Sequence, residues 1–187
     1  MNGLFQVAES VQTFCRARER RFCFIGGLAA QRWGEPRQTL DVVLTVLTGF
    51  GSEEVFVDKL LAAFEARVEH PREFALTCRV LLLRSPSGVG IDLALGALPF
   101  EERAVNRSSG WRIDDQLRLA TCSAEDLVVY KAFAGRPQDW VDIERIVVRQ
   151  GPSLDRGLVR DEIRPLLTLK ETPQDLERLD ALLIAET

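Results

Sequence analysis

Two aspartates, Asp41 and Asp92, each stand among apolar residues: Asp41 is the one charge in the β-branched run from Thr39 to Thr48, and Asp92 lies between Ile91 and Leu93. A carboxylate in such surroundings is costly unless it is paired or ligating, so the repetition points either to chemistry or to ion pairs with arginines. Gly26-Gly27 follows the short aromatic run Phe22-Cys23-Phe24-Ile25 and reads as a tight turn at the end of a buried strand. The chain has one histidine, His70, with no nucleophile or second ligand beside it in sequence, which excludes imidazole-dependent triads and His-Glu-x-x-His metal sites. Walker-type and dinucleotide glycine patterns are absent. Cys15, Cys23, Cys78 and Cys122 are spaced too widely for a zinc knuckle and read as small apolar residues. Carboxylates, backbone amides and basic side chains remain.

The elements that must position these groups follow from composition and periodicity. At 187 residues, 46% apolar and 28% charged, the chain has the make-up of a folded domain with a buried core. The 24 Lys and Arg against 28 Asp and Glu leave a net charge of −4 and a pI near 5.2, which disfavours an extended polyanion footprint. The cluster Arg103, Arg107, Arg112 and Arg118 reads as a solvated loop. No apolar run approaches the ~18 residues of a membrane span. The charged segment from Met1 to Phe22 lacks the pattern of a secretory leader, so a soluble cytoplasmic protein with no membrane partner is expected.

Apolar spacing at Leu4, Val7, Ala8, Val11 and Phe14 predicts a helix over 4–20. Strands are expected at 22–25 and 39–48, with a helix at 28–33 between them. Ser52 is read as the cap of a helix reaching Arg67, and 74–84 and 90–95 as the strands of a hairpin. The chain then reads as irregular from Pro99 to Gly110, with a strand over 116–121. Ser123 caps a helix to Ala134, Gly135-Arg136-Pro137 breaks it, and helices are expected at 137–149, 154–167 and after Thr172-Pro173. The last, with its apolar stretch from Leu176 to Ile184, is expected to pack on the domain, with an interface to a partner as the alternative. The fold class is α/β (α+β): a mixed sheet flanked by helices over 1–121, then a helical C-terminal region over 122–187 packed on that core.

Phe24-Ile25-Gly26-Gly27, Ala29, Gly34, Arg37, Thr39 and Asp41 together resemble the signature of the DNA polymerase beta-like nucleotidyltransferase superfamily, in which a strand ends in two small residues and the next strand carries Asp-x-Asp. Gly-Gly-x-Ala with a later Arg-x-Thr-x-Asp is similar to its minimal members, the abortive-infection toxin-like type. A second block, Ser123 to Leu127 with Lys131, Arg136, Asp139 and Asp142, resembles their downstream helical segment. The resemblance implies a nucleotidyl group passing from an NTP to an acceptor that is an RNA, a protein or a small molecule. Asp41 and Asp92 would hold Mg²⁺ as catalytic carboxylates, and Gly26, Gly27, Arg37, Thr39 and Lys131 would bind the nucleotide. Arg136, Asp139 and Asp142 would support them or tie two helices together. Where the second strand acid belongs the chain has Val43, which cannot ligate Mg²⁺. The expected metal content is therefore one ion, or none if the protein is inactive. The alternative is a catalytically inactive member acting as a nucleotide-binding or protein-interaction module, with a partner protein.

Overall fold

A computed structural model describes residues 3–184, so the outer limits of the two expected domains lie outside the described residues. The described chain forms two compact units, one of residues 3–28 and 38–122, the other of 29–37 and 123–184. The division is not a single cut near 121, because 29–37 groups with the C-terminal helices.

The first unit is built on a seven-stranded mixed sheet. Its strands are β1 (Phe22–Ile25), β2 (Asp41–Leu47), β3 (Glu65–Ala66), β4 (Val80–Arg84), β5 (Gly90–Gly96), β6 (Ser109–Arg112) and β7 (Arg118–Thr121), in the order β3-β4-β5-β2-β1-β7-β6. The β2/β5 and β1/β7 pairs are parallel and the rest antiparallel. One face is apolar: Val42, Leu44, Val46, Ile91, Leu93, Leu81 and Leu83 are fully buried. Helix α1 (Gly3–Arg16) joins that core through Leu4, Val7, Ala8, Val11 and Cys15. Its Gln12 donates to the Arg118 carbonyl at 2.9 Å and accepts from the Ala120 amide at 3.1 Å, satisfying β7 backbone groups from within the core.

Three expectations for this unit need correction. The helix from Ser52 is short, α3 (Glu54–Leu61), with Glu53 rather than Ser52 at its N-cap. The chain over 71–78 is a helix, α4 (Pro71–Cys78), which a left-handed Arg79 (φ 54°) ends just before β4; no glycine or proline marks that boundary in the mostly apolar stretch from Phe74 to Leu83. The segment read as irregular is α5 (Pro99–Arg107), with Pro at its first turn and the Glu101 carboxylate accepting from the Ala97 and Leu98 amides at 2.8 and 2.9 Å. Only Phe100, Ala104 and Val105 are buried along it, a stripe too narrow to stand out in a polar sequence.

Helix α2 (Gly26–Trp33) starts on the glycines themselves, two residues earlier than expected. The second unit holds α6 (Ala124–Ala134), α7 (Pro137–Gln150), α8 (Arg156–Lys170) and α9 (Gln174–Ile184). Helix α6 begins with the Ser123 hydroxyl accepting from the Asp126 amide and ends at Gly135, whose φ of +71° stops the helix as expected. It is buried around its circumference and packs on α7 and α8. Trp140 anchors α7, donating from Nε1 to the Gly135 carbonyl at 3.1 Å. No described helix is long and apolar enough to cross a membrane.

Candidate functional site

In the first unit the β2/β5 register pairs Asp41 with Gly90 and Val43 with Asp92. Side chains alternate along each strand, so Asp41, Val43 and Asp92 share the less buried face, with Asp41 diagonal to Asp92. Asp41 Oδ1 accepts a 2.9 Å hydrogen bond from Thr39 Oγ1. Beside it the first turn of α2 passes close to the same strand. Gly26 has φ +62°, and a Cβ on Gly27 would lie 2.7 Å from Thr39 Cβ, so only glycine allows this approach. Val43 lies against Gly26, where a Cβ would meet it at 3.0 Å.

Asp92 has a cationic partner of its own. Arg67 Nη2 forms an ion pair with its Oδ1, while Arg67 Nε donates to the Leu83 carbonyl at 2.8 Å. The guanidinium lies over Gly90: a Cβ there would be 3.5 Å from Arg67 Cζ and 3.6 Å from Asp41 Cβ. Sequence reading misses Arg67, expecting it only as the end of a helix. Its partner is 25 residues away, and no local pattern announces a pair formed through two strand registers.

The second unit contains a buried charge cluster. Lys131 of α6 places Nζ 2.6 Å from Asp142 Oδ2 and 3.4 Å from Asp139 Oδ1, with all three side chains about 4% exposed or less. Arg37 grips Asp142 with both Nε and Nη2 at 2.9 Å, and Gln138 Nε2 adds a bond at 3.1 Å. Burial raises the Asp142 pKa, but the hydrogen bonds from Arg37 and Lys131 outweigh it and hold the carboxyl down at about 2. Asp139 Oδ2 in turn accepts from the Arg136 amide at 3.2 Å and from its Nε at 2.7 Å, closing the first turn of α7. Of the residues singled out in the sequence, Gly26, Gly27, Thr39, Asp41 and Asp92 thus belong to the first unit. Arg37, Lys131, Arg136, Asp139 and Asp142 meet in the second.

A cavity of about 340 Å³ opens at the other, C-terminal ends of β2 and β5, lined among others by Arg20, Arg21, Thr48, Gly96 and Glu102. It contains neither strand carboxylate.

The chain is similar over most of its length to solved structures, one of them described as nucleotidyltransferase-like. An antigenic nucleotidyltransferase-like protein from Paracoccidioides brasiliensis superposes with a TM-score of 0.55 at 16% identity, over 93% of this chain and 92% of its own. The antibiotic-resistance factor ANT(2'')-Ia aligns over 95% of this chain and 89% of its own, at 14% identity and a TM-score of 0.47. No family model and no curated protein matches the sequence. The first of these similarities shows that the chain has a nucleotidyltransferase-like fold. The residues present do not fit the two-ion carboxylate cage that the sequence resemblance implies. Valine occupies the middle of the acidic face and Asp92 carries a guanidinium. Among the described residues no group of three or more His, Cys, Asp or Glu side chains could hold a metal ion.

Proposed function

We propose that the chain is a nucleotidyltransferase-fold protein that binds a nucleoside triphosphate and does not transfer its nucleotidyl group by the two-metal route. The observation that carries this reading is Val43, beside Asp41 on one face of β2 and directly across from Asp92. A two-ion clamp needs a bridging carboxylate at that place, and a valine supplies only apolar surface. What remains suits binding. The opening turn of α2 has amide groups with no partner inside the helix, the chemistry that receives phosphate oxygens, with Gly26 half-buried at its start and Gly27 buried against Thr39. Asp41 is one carboxylate for the Mg²⁺ that accompanies a triphosphate, an ion commonly held by one or two carboxylates plus phosphates. Under this reading Lys131 and Arg37 serve the architecture of Asp142 rather than the nucleotide.

The test is a thermal-shift titration with each NTP, with and without Mg²⁺, alongside an assay for transfer of label from the α-phosphate. A ligand at 100 times its dissociation constant adds about 2.7 kcal/mol of stability. The expected result is a Mg²⁺-dependent shift that Asp41→Ala removes, with no labelled acceptor. Absence of a shift with every NTP overturns nucleotide binding and leaves a protein-interaction module.

A second reading, a transferase acting on an RNA, protein or small-molecule hydroxyl, draws on Asp41 and Asp92 still sharing one face of adjacent parallel strands. Labelling of an acceptor that Asp41→Ala abolishes would select it.

A further inference from the structure

We infer that Arg67 is the resident cation of the Asp41/Asp92 face: its guanidinium takes the place of a divalent ion on Asp92, and the protein in its nucleotide-free state binds no divalent metal there. The backbone register fixes this arrangement. The Arg67 amide donates to the Leu82 carbonyl at 3.0 Å, extending the β3/β4 ladder by one residue. Leu82 pairs with Asp92, and Asp92 with Val43. Arg67, Leu82, Asp92 and Val43 therefore form one row across the sheet, and their side chains rise on the same face. Arg67 reaches over Leu82 to Asp92, and the bond from its Nε to the Leu83 carbonyl fixes the direction of the guanidinium. The neighbouring row supplies the space. Gly90 pairs with Asp41 and has no side chain, so the guanidinium settles over it, beside the aspartate.

The charges fit the same account. Two carboxylates on adjacent strands repel each other, and a cation between them relieves the repulsion. In a metal-binding site a divalent ion does this; here a planar +1 group with fixed donors does it, tethered by the chain and so at very high effective concentration. A free Mg²⁺ or Mn²⁺ ion would have to displace a covalently attached competitor and would then find a valine where its third carboxylate should be. Arginine is the side chain suited to this role, because its guanidinium stays charged and presents directional donors to a carboxylate. Surface ion pairs are weak in general, but the side chains of Arg67 and Asp92 are each about 30% exposed and the guanidinium is held by a backbone carbonyl as well. The inference concerns free metal ions alone and stands or falls independently of nucleotide binding.

The experiment is Mn²⁺ binding by the full chain without nucleotide, read by electron paramagnetic resonance and by paramagnetic broadening of amide signals at 41–43 and 90–92. Wild type is expected to show no saturable binding and no selective broadening. Arg67→Gln, which keeps a hydrogen-bonding side chain without the charge, should show saturable Mn²⁺ binding at least about tenfold tighter than the weakest affinity the measurement detects. Arg67→Lys, which keeps the charge, should not gain. Adding Asp92→Asn to Arg67→Gln should remove the gain. Selective broadening of the 41–43 and 90–92 signals in wild type overturns the inference without any variant. A folded Arg67→Gln protein with no gain, or an equal gain in Arg67→Lys, overturns it too.

Discussion

Lys131 Nζ lies 2.6 Å from Asp142 Oδ2, with both side chains almost wholly withdrawn from water. Desolvating two charges is expensive, and the arrangement persists because every partner is met: Asp142 also accepts from Arg37 and Gln138, and Lys131 also reaches Asp139. The energetic asymmetry lies in removing one member, which leaves the other buried and uncompensated.

Asp142→Ala should therefore destabilise the protein by about 3–5 kcal/mol, since Lys131 would keep only the 3.4 Å contact to Asp139. Lys131→Met should cost less, because Asp142 retains Arg37 and Gln138. Urea unfolding with an unchanged slope measures both, and a cost for Asp142→Ala below that of Lys131→Met would contradict this account of the cluster.

The same carboxylate sets an acid limit. The Asp142 pKa is depressed from 3.8 to about 2 in the folded chain, so the unfolded chain takes up the proton first as pH falls. The stabilisation is complete above the unfolded value and is lost progressively between about 4 and 2. Wild type should lose more stability than Asp142→Asn over that window, and parallel curves would remove Asp142 as the source.

Gly27→Ala should be destabilising by about 1–3 kcal/mol, because the new methyl group would sit 2.7 Å from Thr39 Cβ. The same substitution in a Thr39→Gly background should cost less, and a double-mutant cycle gives the difference. Additive costs would mean that the α2 turn and the Thr39 segment do not press on each other.

Of the four cysteines only Cys78 is exposed. Burial pushes the Cys15 thiol up to about 12 despite the opposing influence of Arg18 and Arg20, leaving almost no thiolate at neutral pH. Iodoacetamide on the native protein should modify Cys78 first and leave Cys15, Cys23 and Cys122 untouched until the chain unfolds, as peptide mass spectrometry would show.

What the sequence makes legible follows from where its signals are local. Strand β1 is bounded by its own glycines, α6 by Ser123 and Gly135, and the β4/β5 hairpin by Ser85-Pro86-Ser87-Gly88, so each is readable within a few residues. Helix α4 is not, because its end depends on the left-handed turn at Arg79 and no glycine marks it. The candidate site divides in the same way. Asp41, Asp92 and Val43 stand out as types in a pattern, whereas the pairing of Arg67 with Asp92 exists only once three strands are in register. That an arginine would answer one of the lone acids is readable in principle; which arginine is not.

The grouping of 29–37 with the C-terminal helices also bears on how the chain is made. Arg37 meets Asp142 after a separation of 105 residues, and the Trp33 carbonyl accepts from Gln150 after 117. At ribosomal speeds that is a wait on the order of ten seconds. Through that interval the nascent chain can assemble its sheet while a nine-residue stretch in its middle has none of these partners. A chaperone or protease would meet Trp33 and Arg37 in that window, and release from the ribosome before α7 is complete would leave the stretch unsatisfied for good.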